Sequence, residues 1–173
     1  MLVENCTVRN MIEDDVEQVL AWRNNESVRR YMYTQHHITL DEHRKWFESS
    51  RHDPNRWLLI FEVAGKPLGF INIKRVADGN IVDWGFYAAP DAPKGTGTRL
   101  GMTVLDYAFN TLNLYKVCGQ AITYNTPSVN FHKKLGFSQE GVLRDQHFDG
   151  QYYHDVVHFG LLAHEWKNKG KEQ

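Results

Sequence analysis

The sequence predicts a mixed α/β layer, a largely antiparallel sheet with helices on both faces. Three observations carry that prediction. Apolar residues recur at helical spacing from Leu100 to Leu112, three strand-like runs joined by short turns lie between Trp57 and Tyr87, and two late strand-like runs close the chain after a short helix. The 173 residues make a single domain, since one domain takes about 150, and the last few form a polar tail.

Residues 3–9 read as a short strand. Met11-Ile12-Glu13-Asp14-Asp15-Val16 opens a helix whose acidic first turn suits the positive end of its dipole, with Val16, Val19, Leu20 and Trp22 on its buried side. A second short helical stretch runs from Glu26 to Met32. Thr39-Leu40-Asp41-Glu42 is a capping box, in which the hydroxyl satisfies a free backbone N–H and the acid reaches back; the helix it starts carries His43, Trp46 and Phe47 to about Ser50. The period then changes. Trp57 to Val63, Pro67 to Lys74 and Ile81 to Tyr87 are strands of an antiparallel meander, with turns at 64–66 and 77–80. A loop from Ala89 to Thr98, holding two prolines and two glycines, leads into a long helix that buries Leu100, Val104, Leu105, Ala108, Phe109 and Leu112. Tyr115 to Ile122 is a further strand, Thr126 to Leu135 a short helix ending at Gly136, and Ser138 to Leu143 and Tyr152 to Leu162 the closing strands.

Composition excludes several classes. With 42% apolar residues, including nine Phe, five Trp and eight Tyr, the chain can bury a core and is not disordered. A net charge of −1 provides no overall positive field for nucleic acid, so any phosphate partner must be held locally. The longest apolar run, Trp57 to Phe61, is far short of the roughly 20 residues of a membrane helix. The N-terminus shows no basic start followed by an apolar stretch, and Cys6 and Cys118 sit in apolar strands as reduced thiols, which together predict a cytoplasmic protein. His147, His154, His158 and His164 invite a metal reading, but His154 and His158 lie in a strand-like run with no thiol close in sequence, so no metal site is predicted.

Lys94-Gly95-Thr96-Gly97-Thr98, directly before a helix, presents backbone N–H groups where the helix dipole favours an anion; the same residues also read as a plain turn. The spacing argues against two nucleotide loops. A Walker A loop needs Gly-Lys-Ser/Thr where Leu100 stands, and a dinucleotide fingerprint needs a glycine three residues after Gly97, whereas Gly101 is four after it.

The meander, glycine loop and long helix, followed by Asn125-Thr126-Pro127-Ser128-Val129-Asn130-Phe131-His132-Lys133-Lys134-Leu135-Gly136-Phe137, resemble the GNAT superfamily of acyl-CoA N-acyltransferases. The resemblance implies a splayed sheet and acetyl-CoA as co-substrate. It implies that the strand ending in Phe86, Tyr87 and Ala88 pairs its backbone with the pantetheine amides, that the amides of Lys94, Gly95, Thr96, Gly97 and Thr98 hold the pyrophosphate, and that Asn125 and Asn130 flank the pantetheine arm. Two positions depart from the family pattern: Ala92 replaces a frequent Arg or Gln before the loop, and His132 replaces the usual tyrosine acid. Ala21-Trp22-Arg23-Asn24, Tyr31-Met32-Tyr33-Thr34, Asp41-Glu42-His43, Trp84-Gly85-Phe86-Tyr87-Ala88 and Tyr153-His154-Asp155-Val156-Val157 resemble one branch in particular. That branch acetylates the 4-amino group of UDP-4-amino-4,6-dideoxy-N-acetyl-β-L-altrosamine in pseudaminic acid biosynthesis, on the route to flagellin glycosylation. The resemblance runs from about Val8 to Trp166.

Direct transfer from a thioester to an amine needs a neutral amine, a stabilised oxyanion and a proton for the departing thiolate. Strand alternation puts Asn72 and Lys74 on one face, either an exposed edge or the substrate side, where Asn72 would hold amine or water and Lys74 the sugar or diphosphate. A backbone N–H of Phe86 to Ala88 is the oxyanion donor, and His132 takes the place of the acid. Asp83 shares a strand face with Tyr87 and reads as a base or, with more weight, as a solvated acid at a turn. For the UDP-sugar, Arg23 offers a fork suited to a diphosphate, His43 a polar group and Tyr87 a ring. A homodimer is compatible with the sequence. Two other functions fit: an N-terminal protein or peptide acetyltransferase, and a non-catalytic acyl-CoA sensor.

Overall fold

The computed structural model describes residues 5–169 and is built on a seven-stranded sheet in the order β1-β2-β3-β4-β5-β7-β6. Its strands are β1 (Cys6–Asn10), β2 (Arg56–Val63), β3 (Lys66–Ala77), β4 (Ile81–Ala88), β5 (Lys116–Ile122), β6 (Ser138–Phe148) and β7 (Tyr153–Leu162). Every neighbouring pair is antiparallel except β4 and β5, which run parallel and meet only at Ile81–Lys116, Val82–Val117 and Asp83–Cys118. Beyond Asp83 the two strands part, and the sheet is splayed.

Among the described residues six helices cover the sheet: α1 (Val16–Asn24), α2 (Glu26–Arg29), α3 (Leu40–Arg51), α4 (Thr96–Asp106), α5 (Thr126–Leu135) and α6 (Ala163–Lys169). Strand alternation explains why both faces are covered. On β2, Leu59 and Phe61 join Ile71, Val82, Leu100 and Leu105 in one core, while Leu58 and Ile60 join Val19, Trp22, Phe47 and Phe70 in the other. Arg9 ties the entry of the chain to the sheet, with Nε on Glu62 at 2.7 Å and its two terminal nitrogens on Asp15 at 2.6 and 2.9 Å.

The local signals are realised in detail. Thr39 Oγ1 accepts from the Glu42 N–H at 3.2 Å, and Glu42 accepts from the Thr39 N–H at 2.7 Å, the reciprocal bonds of a capping box. Gly136 ends α5 at φ 94°, a left-handed conformation that favours glycine. Other boundaries differ from expectation. The helix predicted from Met11 begins as a short 3-10 turn at Glu13–Asp15, α4 passes into a π turn at Tyr107–Thr111, and β6 continues to Phe148 through register shifts, with Asp145 at φ 53°. The first residues of the predicted strand at 3–9 and the end of the polar tail lie outside the described residues. No helix among the described residues is long and apolar enough to cross a membrane.

Candidate active site

The parting of β4 from β5 creates a cavity of about 740 Å³ whose walls come from both halves of the sheet. Asn72, Lys74, Asp83 and the Trp84–Ala88 segment supply one wall; Gln120, Asn125, Ser128, Phe131 and His132 supply the other. The β3–β4 register, Phe70 opposite Tyr87, Asn72 opposite Gly85 and Lys74 opposite Asp83, sets these residues on one face of the sheet. Asn72 and Lys74 therefore face a cavity rather than an exposed edge, and the Asn72 Oδ1 atom is buried with no hydrogen-bond partner.

The geometry suits a narrow arm bearing amides. Past Asp83, β4 has no β5 neighbour, so its backbone groups on that edge have no sheet partner. A Cβ added at Gly85 or Gly97 would meet no atom within 4 Å, so both glycines border open space. At the mouth, Gly95 caps α4 at φ 89°, and Gly97 and Thr98 occupy the second and third helical positions, whose N–H groups have no intrahelical partner. Thr96 differs from the expectation: it is buried, its N–H and hydroxyl both donate to the Pro93 carbonyl, and it shapes the loop from within. Lys94 precedes this turn on the exposed side, and Thr98 Oγ1 accepts from Lys134 Nζ of α5 at 3.2 Å. Asn125 lines the cavity and caps α5, its Oδ1 accepting from the Ser128 N–H at 3.2 Å. Asn130 is exposed and does not line the cavity, because positions five apart on a helix point in different directions.

His132 is enclosed rather than poised. Its Nδ1 lies 2.8 Å from the Ser128 carbonyl, which can only accept, so the proton sits on Nδ1; Nε2 then accepts from the Trp84 indole N–H at 3.1 Å. The ring stacks on Phe159 with centroids 4.8 Å apart, and a Cβ at Gly119 would collide with it. Burial lowers its pKa, against the hydrogen bond to Ser128. A neutral ring with both nitrogens engaged does not fit the expected role of a protonated donor to the thiolate.

A second cavity of about 330 Å³ shares Phe70 and Tyr87 with the first and is closed by Arg23, His36, Ile38, Glu42, His43 and Trp46. Here Arg23, His43 and Tyr87 come together, while Lys74 lines the larger cavity instead. Arg23 Nη2 donates to the Thr34 carbonyl at 2.7 Å, while its Nη1 is buried without a partner, as is Nε2 of the buried His43. Burial lowers the pKa of His43, and Arg23 adds to that; burial also raises the Tyr87 phenol.

Two cavity residues lay outside the sequence-based site. Tyr33 donates to Gln120 Oε1 at 3.1 Å, tying the segment between α2 and α3 to β5. Asp83 is not a solvated acid at a turn: it lines the cavity, its Oδ1 is buried and unpartnered, and burial pushes its pKa up to about 6. Among the described residues, no group of three His, Cys, Asp or Glu side chains could hold a metal ion, and His154 instead meets Asp149 at 2.6 Å. Both cysteines are free, and burial raises the Cys118 thiol.

The model of the acetyltransferase (GNAT) domain matches residues 5–138. The spermidine N(1)-acetyltransferase of Escherichia coli K12 is 26% identical over 165 residues, which cover 92% of this chain and 87% of that protein. The spermidine N(1)-acetyltransferase of Vibrio cholerae is 25% identical over 170 residues, 95% of this chain and 97% of that one. Among solved structures, the Vibrio cholerae spermidine N-acetyltransferase in complex with CoA and spermine superposes with a TM-score of 0.88 at 24% identity, covering 96% of this chain and all of that one.

Proposed function

The chain belongs to the GNAT family of acetyltransferases, N-acetyltransferases that use acetyl-CoA, and from that premise we propose that its acceptor is the 4-amino group of a UDP-linked amino sugar, as in pseudaminic acid biosynthesis. The observation that carries this reading is the smaller cavity. It sets an unpartnered guanidinium nitrogen of Arg23 and an unpartnered ring nitrogen of His43 against Trp46, Phe70 and Tyr87. The Arg23 nitrogen, a buried donor without a partner, suits a ligand with negative charge and the rings suit a flat group, while the neutral His43, whose other nitrogen meets the Val16 backbone, offers Nε2 as an acceptor to a hydroxyl or amide N–H.

The residues take roles accordingly. The β4 edge from Phe86 to Ala88 pairs with the pantetheine arm and offers an N–H to the carbonyl oxygen as charge develops there. The Lys94–Thr98 turn and the N-terminus of α4 receive the pyrophosphate, with Asn125 beside the arm. Asn72 holds the amine or its water, Lys74 meets the sugar or diphosphate, and His132 positions Trp84 in the cavity wall. A cytoplasmic enzyme, free or as a homodimer, would meet both substrates.

A polyamine is the second acceptor to weigh, because the Escherichia coli and Vibrio cholerae relatives are named for spermidine. Such a polycation would meet Arg23 and Lys74 at unfavourable like-charge contacts, and Glu42 and Asp83 at favourable ones. The test is a parallel incubation of the protein and acetyl-CoA with the UDP-4-amino sugar, spermidine and an N-terminal peptide, following free thiol and product mass. Acetylation of the sugar alone supports the reading. Acetylation of spermidine or the peptide alone overturns the acceptor, and tight acetyl-CoA binding with no turnover indicates a sensor.

A further inference from the structure

Past the last rung of the β4–β5 ladder, where Asp83 meets Cys118, the two strands advance in the same direction without pairing. Side chains alternate along a strand, so the next position on the same face is Gly85 on β4 and Gln120 on β5, each roughly 7 Å further along. Gly85 sends no side chain into the gap, and a Cβ built there would meet no atom within 4 Å. Behind it, in register on β3, stands Asn72 with its buried, unpartnered Oδ1. Gln120 is the one side chain of β5 that lines the larger cavity among the described residues. At this level the cavity therefore has a hydrogen-bond acceptor on its near wall, an amide on its far wall and no side chain of β4 between them.

The Gln120 amide is held one way round. The Tyr33 hydroxyl donates to Oε1 at 3.1 Å, while Nε2 makes no hydrogen bond within the protein among the described residues. With its oxygen on Tyr33, the amide presents two N–H donors to whatever enters. Gln120 is exposed, so water serves these donors until a ligand displaces it, and a ligand that cannot replace the bonds of that water loses affinity.

We infer that Gln120 is a specificity-determining residue of the transfer, its Nε2 donating to an oxygen that the acceptor carries beside its reacting amine, with Tyr33 fixing the amide. The inference rests on the reading of an oxygen-bearing acceptor and deepens it. A sugar supplies hydroxyl oxygens next to the amine, and a peptide supplies a carbonyl. A polyamine carries no oxygen and its protonated amines only donate, so it displaces the water on Nε2 without replacing its bonds. A site that hydrogen-bonds its substrate in this way rejects an analogue lacking the partner atom, because the polar group of the site is left unpaired.

Two variants at exposed positions test it. Gln120→Glu has the same shape and keeps an oxygen for Tyr33 but loses both donors, whereas Tyr33→Phe removes the tether and keeps the donors. Gln120→Glu should raise the KM of the acceptor by about tenfold, with the KM of acetyl-CoA unchanged, and should move the preference between acceptors toward spermidine by at least as much. Tyr33→Phe should raise the acceptor KM by only about twofold. If Gln120 merely tethers the Tyr33 segment, Gln120→Glu keeps the original acceptor KM and Tyr33→Phe is the costlier change; either result overturns the inference. The kinetics use the UDP-4-amino sugar or, where the unaltered enzyme leaves it unacetylated, the peptide. Sugar turnover with an unmoved KM in Gln120→Glu overturns the role of Gln120 alone. Peptide turnover with a raised KM sustains that role and overturns the sugar reading alone, and turnover of spermidine only, or of no acceptor, overturns both.

Discussion

The indole N–H of Trp84 donates to Nε2 of His132 at 3.1 Å, linking β4 to α5 in the wall of the cavity. Indole is a donor only, so this bond requires an unprotonated Nε2, and the Ser128 carbonyl takes the proton of Nδ1. The pair fixes the angle of Trp84 just where β4 leaves β5.

Replacing His132 with Phe should leave the indole N–H buried without an acceptor, at a cost of about 1–3 kcal/mol seen as a lower melting temperature. The alkaline part of the pH–rate profile should stay in place. Its loss in this variant would restore His132 as the proton donor.

Acid should destabilise the fold through two histidines. Burial depresses both His43 and His132, so the folded chain holds fewer protons there than the unfolded one. The stability they allow is present above the unfolded value of about 6.5 and is lost as pH falls through their lower folded values. Urea titrations at pH 7.5, 6.5 and 5.5 should show falling midpoints, with a smaller fall in His132→Phe.

Asp83 has the opposite sign. Its raised folded pKa, about 6, means that its contribution is fully present below the unfolded value and is lost as pH rises through 6. At pH 7 an Asp83→Asn protein should therefore be the more stable one, by on the order of 1 kcal/mol after allowance for partial solvation. Calorimetry at pH 7 and pH 5 should show that gain shrinking at the lower pH.

Gly97→Val should separate folding from cofactor binding. A Cβ at this position meets no atom within 4 Å, so the melting temperature should barely change, while acetyl-CoA affinity falls by about tenfold or more, some 1.4 kcal/mol. Isothermal titration with acetyl-CoA measures it directly.

If the acceptor is the proposed UDP-sugar, Arg23→Met should raise its KM by about ten- to a hundredfold, the value of one charge-assisted hydrogen bond, without altering the KM for acetyl-CoA. Steady-state kinetics with each substrate varied in turn distinguish the two.

The parts of this molecule that depend on short-range pattern were legible in the sequence. The capping box at Thr39, the meander, the apolar stripe of α4 and the glycine turn before it are all written within a few residues. So was the shared face of Asn72 and Lys74, because side chains alternate along any strand. What escaped was set by contacts between distant residues. Nothing near His132 in sequence shows that Phe159 and Trp84 enclose it, and Asp83 reads as solvated until β5 is known to lie beside it. The extension of β6 was hidden for the same reason, since its partner β7 sets its length.

The three-rung ladder between β4 and β5 makes the sheet two plates joined along a short seam. Whatever occupies the gap past Asp83 stitches the plates together, so the ligand becomes a strut of the architecture as well as a reactant. Amides of β4 that point across the gap should exchange with deuterium quickly in the free protein and slowly once the gap is filled. Occupancy would thus be recorded in the backbone itself, and the protein should melt later in proportion to how tightly the stitch holds.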